Sequence, residues 1–437
     1  MLRILLSVLG IICLVGPLQA QQVALEVTPA NPVMLAGEPQ TAYLKVGLTG
    51  FALPSETTRT PVNIAIVLDK SGSMAGEKLY RARDAALMAL RRLNAEDIAA
   101  VVSYDSTVQV LLPATRLDDK STVQRALQGL QAGGNTALFA GVSRGAAEVR
   151  KFLDRDRVNR IILLSDGLAN VGPSSPAELG RLGASLAKEG VSVSTIGLGL
   201  GYNEDLMALL AGMSDGNHAF VESADDLARI FNYEFGDVLS VVAQDVDIQI
   251  HCPPGVRPVQ VLGRDAEIVG QSVRTGLNQL YGAQEKFIML ELEVPAGQVD
   301  REQVLASVEV RYRNMLSGEQ DTLSGATAVR FSASPETVVE ATDPDTMGAA
   351  VEQIANRMSK KAVELRDAGR TDEARQQLLK GADYVRRNAE RYGSEKLQSL
   401  GEELEQDAAA VGADDDWNRT RKALRKKQHS VDIQQTY

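Results

Sequence analysis

Five oxygen-bearing side chains, spread from position 69 to position 166, have the types and spacing to gather on one cation: Asp69, Ser71, Ser73, Thr136 and Asp166. Asp69-Lys70-Ser71-Gly72-Ser73 follows the apolar run Ile64–Leu68, and Gly133-Gly134-Asn135-Thr136 forms a second polar loop. Leu164-Ser165-Asp166-Gly167 leaves another apolar run, Ile161–Leu164. Each loop reads as a turn at or beside the carboxyl end of a parallel strand, the edge where open α/β sheets bind ligands. All five donors are hard oxygens, which select Mg²⁺, Ca²⁺ or Mn²⁺ over zinc or copper. The hydroxyls of Ser71, Ser73 and Thr136 suit direct, neutral ligation. Asp69 and Asp166 can then hold waters and orient the hydroxyls. A cation held this way stays electron-poor and keeps a position open for a carboxylate from another molecule. Gly72, Gly134 and Gly167 suit tight turns and close backbone approach. A lone D-x-S-x-S is a weak signal, because Asp and Ser are ordinary turn residues. Three such loops, in order and each beside the right element, are much harder to obtain by chance.

Residues from about 60 to 240 resemble a von Willebrand factor type A domain. Asp69-x-Ser71-x-Ser73, Thr136 and Asp166-Gly167 match that family's metal ion-dependent adhesion site position by position. The resemblance implies a site for Mg²⁺ or Mn²⁺, completed by an Asp or Glu side chain of a protein partner; the hard-oxygen donors leave Ca²⁺ open as well. The flanking arrangement further resembles secreted bacterial members of the family catalogued as homologues of calcium-activated chloride channel proteins.

The elements that must position these loops follow from the apolar periodicity. Ile64–Leu68, Ile98–Tyr104, Thr107–Leu112, Arg160–Leu164, Val191–Ile196 and His218–Val221 read as strands. Between or after them, Lys78–Leu93, Ser121–Leu130, Leu138–Leu153, Pro176–Lys188, Glu204–Ala211 and Ala224–Leu239 show helical spacing. Alternating strands and helices predict a doubly wound, mainly parallel α/β sheet over residues 60–240. Residues 241–333 change to short alternating runs separated by Gly and Pro, as in a β-sandwich. The strands expected within residues 21–59 have too few partners to stand alone. They are therefore assigned to the same sandwich, with the α/β domain inserted in it. Residues 340–411 carry helical spacing broken at Gly369 and Gly393, either a tetratricopeptide-like hairpin with a third helix or a simple three-helix bundle. Residues 412–437 switch from acidic to basic and are expected to form a solvated, partly disordered tail. A contact with anionic lipid or an acidic partner is the competing reading of that basic patch.

Composition bounds the function. The formal charge of −11 over 437 residues, with few aromatics, argues against nucleic acid as a partner. Residues 1–20 read as a signal peptide cut near Ala20, so a secreted or periplasmic location is expected. No later run is long enough for a membrane-spanning helix. Cys252 alone would survive cleavage, and it reads as a packed hydrophobe.

Other motifs are decoys. Gly141-Val142-Ser143-Arg144-Gly145 spells a nucleophile elbow but sits inside a helical run. Gly197-Leu198-Gly199-Leu200-Gly201 follows a strand without completing a dinucleotide fingerprint, and is expected to crowd the metal face. His218, His251 and His429 lie far apart in sequence and form no ligand-like pair. The chain is thus read as a non-enzymatic, metal-dependent adhesion or assembly module. The alternatives are a Mg²⁺-assisted hydrolase or an accessory subunit of an envelope transport or assembly complex.

Overall fold

The structure, a computed structural model, describes residues 22–53, 59–116, 120–413 and 416–435. The expected signal peptide lies outside these residues. The α/β unit runs β4 (Val62–Asp69), α1 (Glu77–Arg91), β5 (Ile98–Tyr104), β6 (Val108–Arg116), α2 (Lys120–Gln128), α3 (Leu138–Val149), β7 (Val158–Ser165), α4 (Pro176–Lys188), β8 (Val191–Leu198), α5 (Glu204–Met213), β9 (His218–Val221) and α6 (Leu227–Leu239). Preceding it are β1 (Val23–Pro29), β2 (Val33–Leu35) and β3 (Gln40–Gly50).

The sheet order β6-β5-β4-β7-β8-β9 explains where a ligand site belongs. From β4 the chain winds outward to β5 and β6, then returns to β7 and winds the other way. β4 and β7 pair in parallel with Leu68 opposite Leu164, so the loops carrying Asp69 and Asp166 leave the sheet side by side. This is a topological switch point, where the crevice beyond the strand ends opens. Every residue of β4, β7 and β8 is buried, as a sheet covered on both faces requires. Ile64, Ile66 and Leu68 pack towards α1 and α6, whereas Ala65 and Val67 face α3, in the two-residue period of a strand.

A sandwich follows: β10 (Val241–His251), β11 (Arg257–Leu262), β12 (Glu267–Val269), β13 (Ser272–Tyr281), β14 (Glu285–Val294), β15 (Glu302–Asn314) and β16 (Gln320–Ser332). Its sheets are ordered β1-β3-β14-β11 and β12-β13-β10-β15-β16-β2. β3 pairs antiparallel with β14, Leu44 opposite Leu290, so the leading strands share a sheet with segments far downstream. The α/β unit is inserted between them. Leu44, Val46, Leu48, Ile248, Ile250, Val308 and Val310 fill the space between the sheets. β2, β12 and β13 are not anticipated by the periodicity. In β13, Gly276 interrupts the alternation and Gln279 faces inward to serve a polar contact. Arg160 of β7, fully buried, donates to Gln279 Oε1 at 2.7 Å and Tyr281 OH at 2.6 Å, pinning the inserted domain to the sandwich.

The helices are α7 (Pro335–Glu340), α8 (Pro344–Asp367), α9 (Thr371–Tyr392), α10 (Glu395–Gly412) and α11 (Trp417–Ile433). α8, α9 and α10 share one apolar core that extends to Tyr43 of β3. The expected disordered tail is instead helix α11. Its charge run hides a docked face: Leu424 and Ile433 are buried, and Lys422 is only 2% exposed where it pairs with Glu204 and donates to Tyr202 O at 2.7 Å. Arg421 pairs with Glu204, Asp205 and Asp367. Complementary charges on α5, invisible along the tail itself, convert a solvated segment into a strap. Among the described residues no helix is long and apolar enough to cross a membrane.

Candidate metal centre

Asp69 ends β4 with its carboxylate turned inward. Oδ1 accepts the backbone N–H of Ser71 at 2.8 Å, bending the chain back over the strand end. Oδ2 accepts the hydroxyl of Ser165 at 2.7 Å, tying the first loop to the third. Burial raises the Asp69 carboxyl above its ordinary value, helped by the nearby Asp166 charge and opposed by the bonds from Ser165 and Ser71. Ser71 and Ser73 hydroxyls lie 3.1 Å apart, and Ser73 donates to Asp166 Oδ1 at 2.6 Å.

The second loop is stitched to the first by backbone bonds: Gly133 N to Lys70 O at 2.9 Å and Gly72 N to Gly134 O at 3.0 Å. Gly134 takes φ +75, and a Cβ there would meet Ser106 Oγ at 2.9 Å, so glycine is required on both counts. Thr136 is held from the third loop, its N–H bonded to Asn170 Oδ1 at 2.8 Å.

The donor set can be tested at Gly167. The point where a Cβ would stand lies 3.1 Å from Thr136 Oγ1, 3.2 Å from Ser73 Oγ and 3.8 Å from Ser71 Oγ. Three hydroxyl oxygens from two loops therefore face one small volume that a side chain would fill. Asp69 and Asp166, both buried, stand beside it. The structure brings all five sequence-selected residues together, and their oxygens fit a hard divalent cation.

Sequence reasoning missed three supporting groups. Ser165 and Asn170 hold ligand candidates in place, as above. Lys78 of α1 pairs with Asp166 Oδ2 at 2.6 Å. One signal was available for it: a lysine in the first turn of a helix opposes the helix dipole and so invites another explanation.

The decoys resolve structurally. A Cβ on Gly141 would meet the Tyr104 ring at 2.7 Å and one on Gly145 would meet Val67 at 2.6 Å, so these glycines let α3 lie close on the sheet. The glycine-rich loop after β8 does press on the metal face, since a Cβ on Gly201 would meet Asp166 O at 2.8 Å. His218 and His429 are brought edge to face, ring centroids 5.9 Å apart, but both are buried. His218 bonds Thr195 Oγ1 at 2.8 Å and His429 bonds Gly216 O at 3.2 Å. Cys252 is buried, and desolvation pushes its thiol up to about 11, as suits an unreactive packed residue.

Residues 63–232 match the model of the von Willebrand factor type A domain. The chain is 26% identical over 276 residues to the uncharacterized protein sll0103 of Synechocystis sp., covering 61% of this chain and 65% of that one. It is 29% identical over 194 residues to the uncharacterized protein YfbK of Escherichia coli, covering 44% of this chain and 34% of that one. The matches thus span less than two thirds of either relative. A solved von Willebrand factor type A structure from Catenulispora acidiphila shares the fold with a TM-score of 0.68 at 18% identity, covering 86% of this chain and 89% of that one. Family match, strand order and shared fold agree that this chain carries a von Willebrand factor type A domain.

Proposed function

We propose that the protein is an exported, non-enzymatic binding module in which Mg²⁺, held beside Gly167, captures an Asp or Glu side chain of a partner protein. The observation that carries this reading is the convergence of the Ser71, Ser73 and Thr136 hydroxyls on one point, with two carboxylates alongside. Ser71, Ser73 and Thr136 would hold the ion, which supplies Lewis acidity towards an incoming anion. Asp69 fixes the turn carrying the serines through its bonds to Ser71 N and Ser165 Oγ. Asp166 orients the Ser73 hydroxyl. Neutral direct donors leave the ion's charge uncompensated, so a partner carboxylate gains a charge-assisted contact. A cage of direct carboxylates would have quenched that attraction.

The test is melting of the full chain with and without metal. At free Mg²⁺ near 100 times Kd, binding stabilises the fold by about 2.7 kcal/mol. Thr136→Ala abolishes that gain while the metal-free protein stays folded. A wild-type melting temperature indifferent to Mg²⁺ and Mn²⁺ contradicts the proposal. Capture of an acidic peptide that survives chelation contradicts the metal-bridged mode of binding. Export is checked by mass spectrometry of the native protein, which should begin near Gln21.

A further inference from the structure

The chain brings a cation of its own to this site. Lys78 extends its ammonium to Asp166 Oδ2, and its side chain is 37% exposed while that of Asp166 is fully buried. The ammonium therefore lies at the boundary between site and solvent. Asp69, in contrast, is satisfied by neutral donors, the Ser71 N–H and the Ser165 hydroxyl. Gly199, at φ +69, runs alongside, and the point where its Cβ would stand is 3.7 Å from Lys78 Nζ. The glycine-rich loop thus flanks the lysine head at ordinary contact distance. The placement works against helix α1, because a positive charge in a first turn faces the positive end of the helix dipole.

We infer that Lys78 and the divalent ion compete for Asp166. The ammonium holds this carboxylate in the metal-free protein, then swings to the rim when metal binds and offers the partner's carboxylate a second positive contact. This rests on the metal-binding reading above. Ser73 donates to one oxygen of Asp166 while Lys78 holds the other, so a metal seated on Ser73 comes within a few ångströms of the ammonium. Like charges at that separation repel. At a partly exposed site the penalty corresponds to about tenfold in metal affinity. A lysine can yield where a buried arginine could not, because its flexible stem carries a strongly hydrated point charge back to water. The device keeps two buried carboxylates from facing each other unneutralised before metal arrives. It also makes metal binding and exposure of the ammonium one event.

The experiment is calorimetric titration of the full chain with Mn²⁺ at fixed ionic strength, for wild type, Lys78→Met and Lys78→Arg. Lys78→Met should bind Mn²⁺ about tenfold more tightly and melt at a lower temperature without metal, while Lys78→Arg, which keeps the charge but yields less readily, binds no more tightly than wild type. A lysine that merely braces the fold would give Lys78→Met equal or weaker Mn²⁺ affinity, and that result overturns the competition. Absence of Mn²⁺ binding in the wild type overturns this inference and the metal reading together. Wild-type binding with no gain in Lys78→Met overturns this one alone. With Mn²⁺ bound, acetate as the probe carboxylate should bind Lys78→Met more weakly, and equal acetate affinity overturns the second contact.

Discussion

At Gly167 the cost of a single methyl group measures the metal cradle. An alanine Cβ would stand 3.1 Å from Thr136 Oγ1 and 3.2 Å from Ser73 Oγ, tight enough to push both hydroxyls back by a few tenths of an ångström. Mg²⁺ tolerates little deviation from octahedral geometry. Gly167→Ala should therefore weaken Mg²⁺ and Mn²⁺ binding at least tenfold in a titration, while the metal-free protein melts within about 1 kcal/mol of wild type. Asp69→Ala also removes the metal gain, but leaves Ser71 N and Ser165 Oγ without their acceptor, so its metal-free form should lose about 1–3 kcal/mol as well. Asp69, Ser71, Ser73 and Asp166 were legible because they follow the apolar runs Ile64–Leu68 and Ile161–Leu164 at short offsets, and Thr136 because it ends a Gly-Gly-Asn loop in the order the family's site requires. Lys78, Ser165 and Asn170 were not. Their partners depend on how α1 turns against the sheet and how the third loop folds over Thr136, which no local spacing encodes.

At the scale of elements, close helix–sheet contact and charge pairing decide what the pattern left open. Gly141→Ala drives a methyl into the Tyr104 ring at 2.7 Å and should destabilise the protein by roughly 1–3 kcal/mol in denaturant melts. Ser143→Ala, in the same decoy motif, should change stability by less than about 0.5 kcal/mol. The parallel strands β4 and β7 were readable because both their faces are buried and each carries a continuous apolar run, Ile64–Leu68 and Ile161–Leu164, whereas β8 keeps Ser192, Ser194 and Thr195 among its apolar residues. β13 was not, since its inward Gln279 serves Arg160 rather than an apolar core. Helix α11 hid behind its charges in the same way. Lys422 is nearly sealed against Glu204, itself only 6% exposed, so Lys422→Ala strips this buried carboxylate of one of its two cationic partners, Arg421 remaining, and should cost about 1.5–3 kcal/mol. Removing Glu204 as well should recover part of that loss. A double-mutant cycle with no coupling between the two positions would dismiss the strap as a determinant of stability.

Over the whole molecule, the inserted domain, the sandwich and the strap meet at Asp215 and Gly216. Arg264 of the sandwich pairs with Asp215, which also accepts Asn278 N at 2.7 Å, while His429 of α11 bonds Gly216 O. Burial alone would raise the Asp215 carboxyl, but the Lys286 and Arg264 charges and the hydrogen bonds to it outweigh burial and hold it well below the usual range. Burial lowers His429 to about 4 and lowers His218 well below its ordinary value. Both histidines are thus neutral when folded, and the unfolded chain takes up their protons first as pH falls. Stability should be full above about pH 6.5 and decline towards pH 4, with His429 alone contributing a loss on the order of 2 kcal/mol between pH 7 and pH 5. Asp215 adds a further loss below the ordinary aspartate value, as the unfolded chain protonates there before the folded one. Denaturant melts across this range should show that slope, and His429→Gln should flatten its upper part; an unchanged slope in that variant would exclude the junction as the acid-sensitive point. The central claim, a cation held by neutral oxygens with a position to spare, is tested most directly by anomalous diffraction from crystals grown with Mn²⁺ and acetate. The account predicts one strong peak about 2.1 Å from the Ser71, Ser73 and Thr136 hydroxyls, capped by an acetate oxygen. A crystal saturated with Mn²⁺ and showing no peak among these three loops would contradict it.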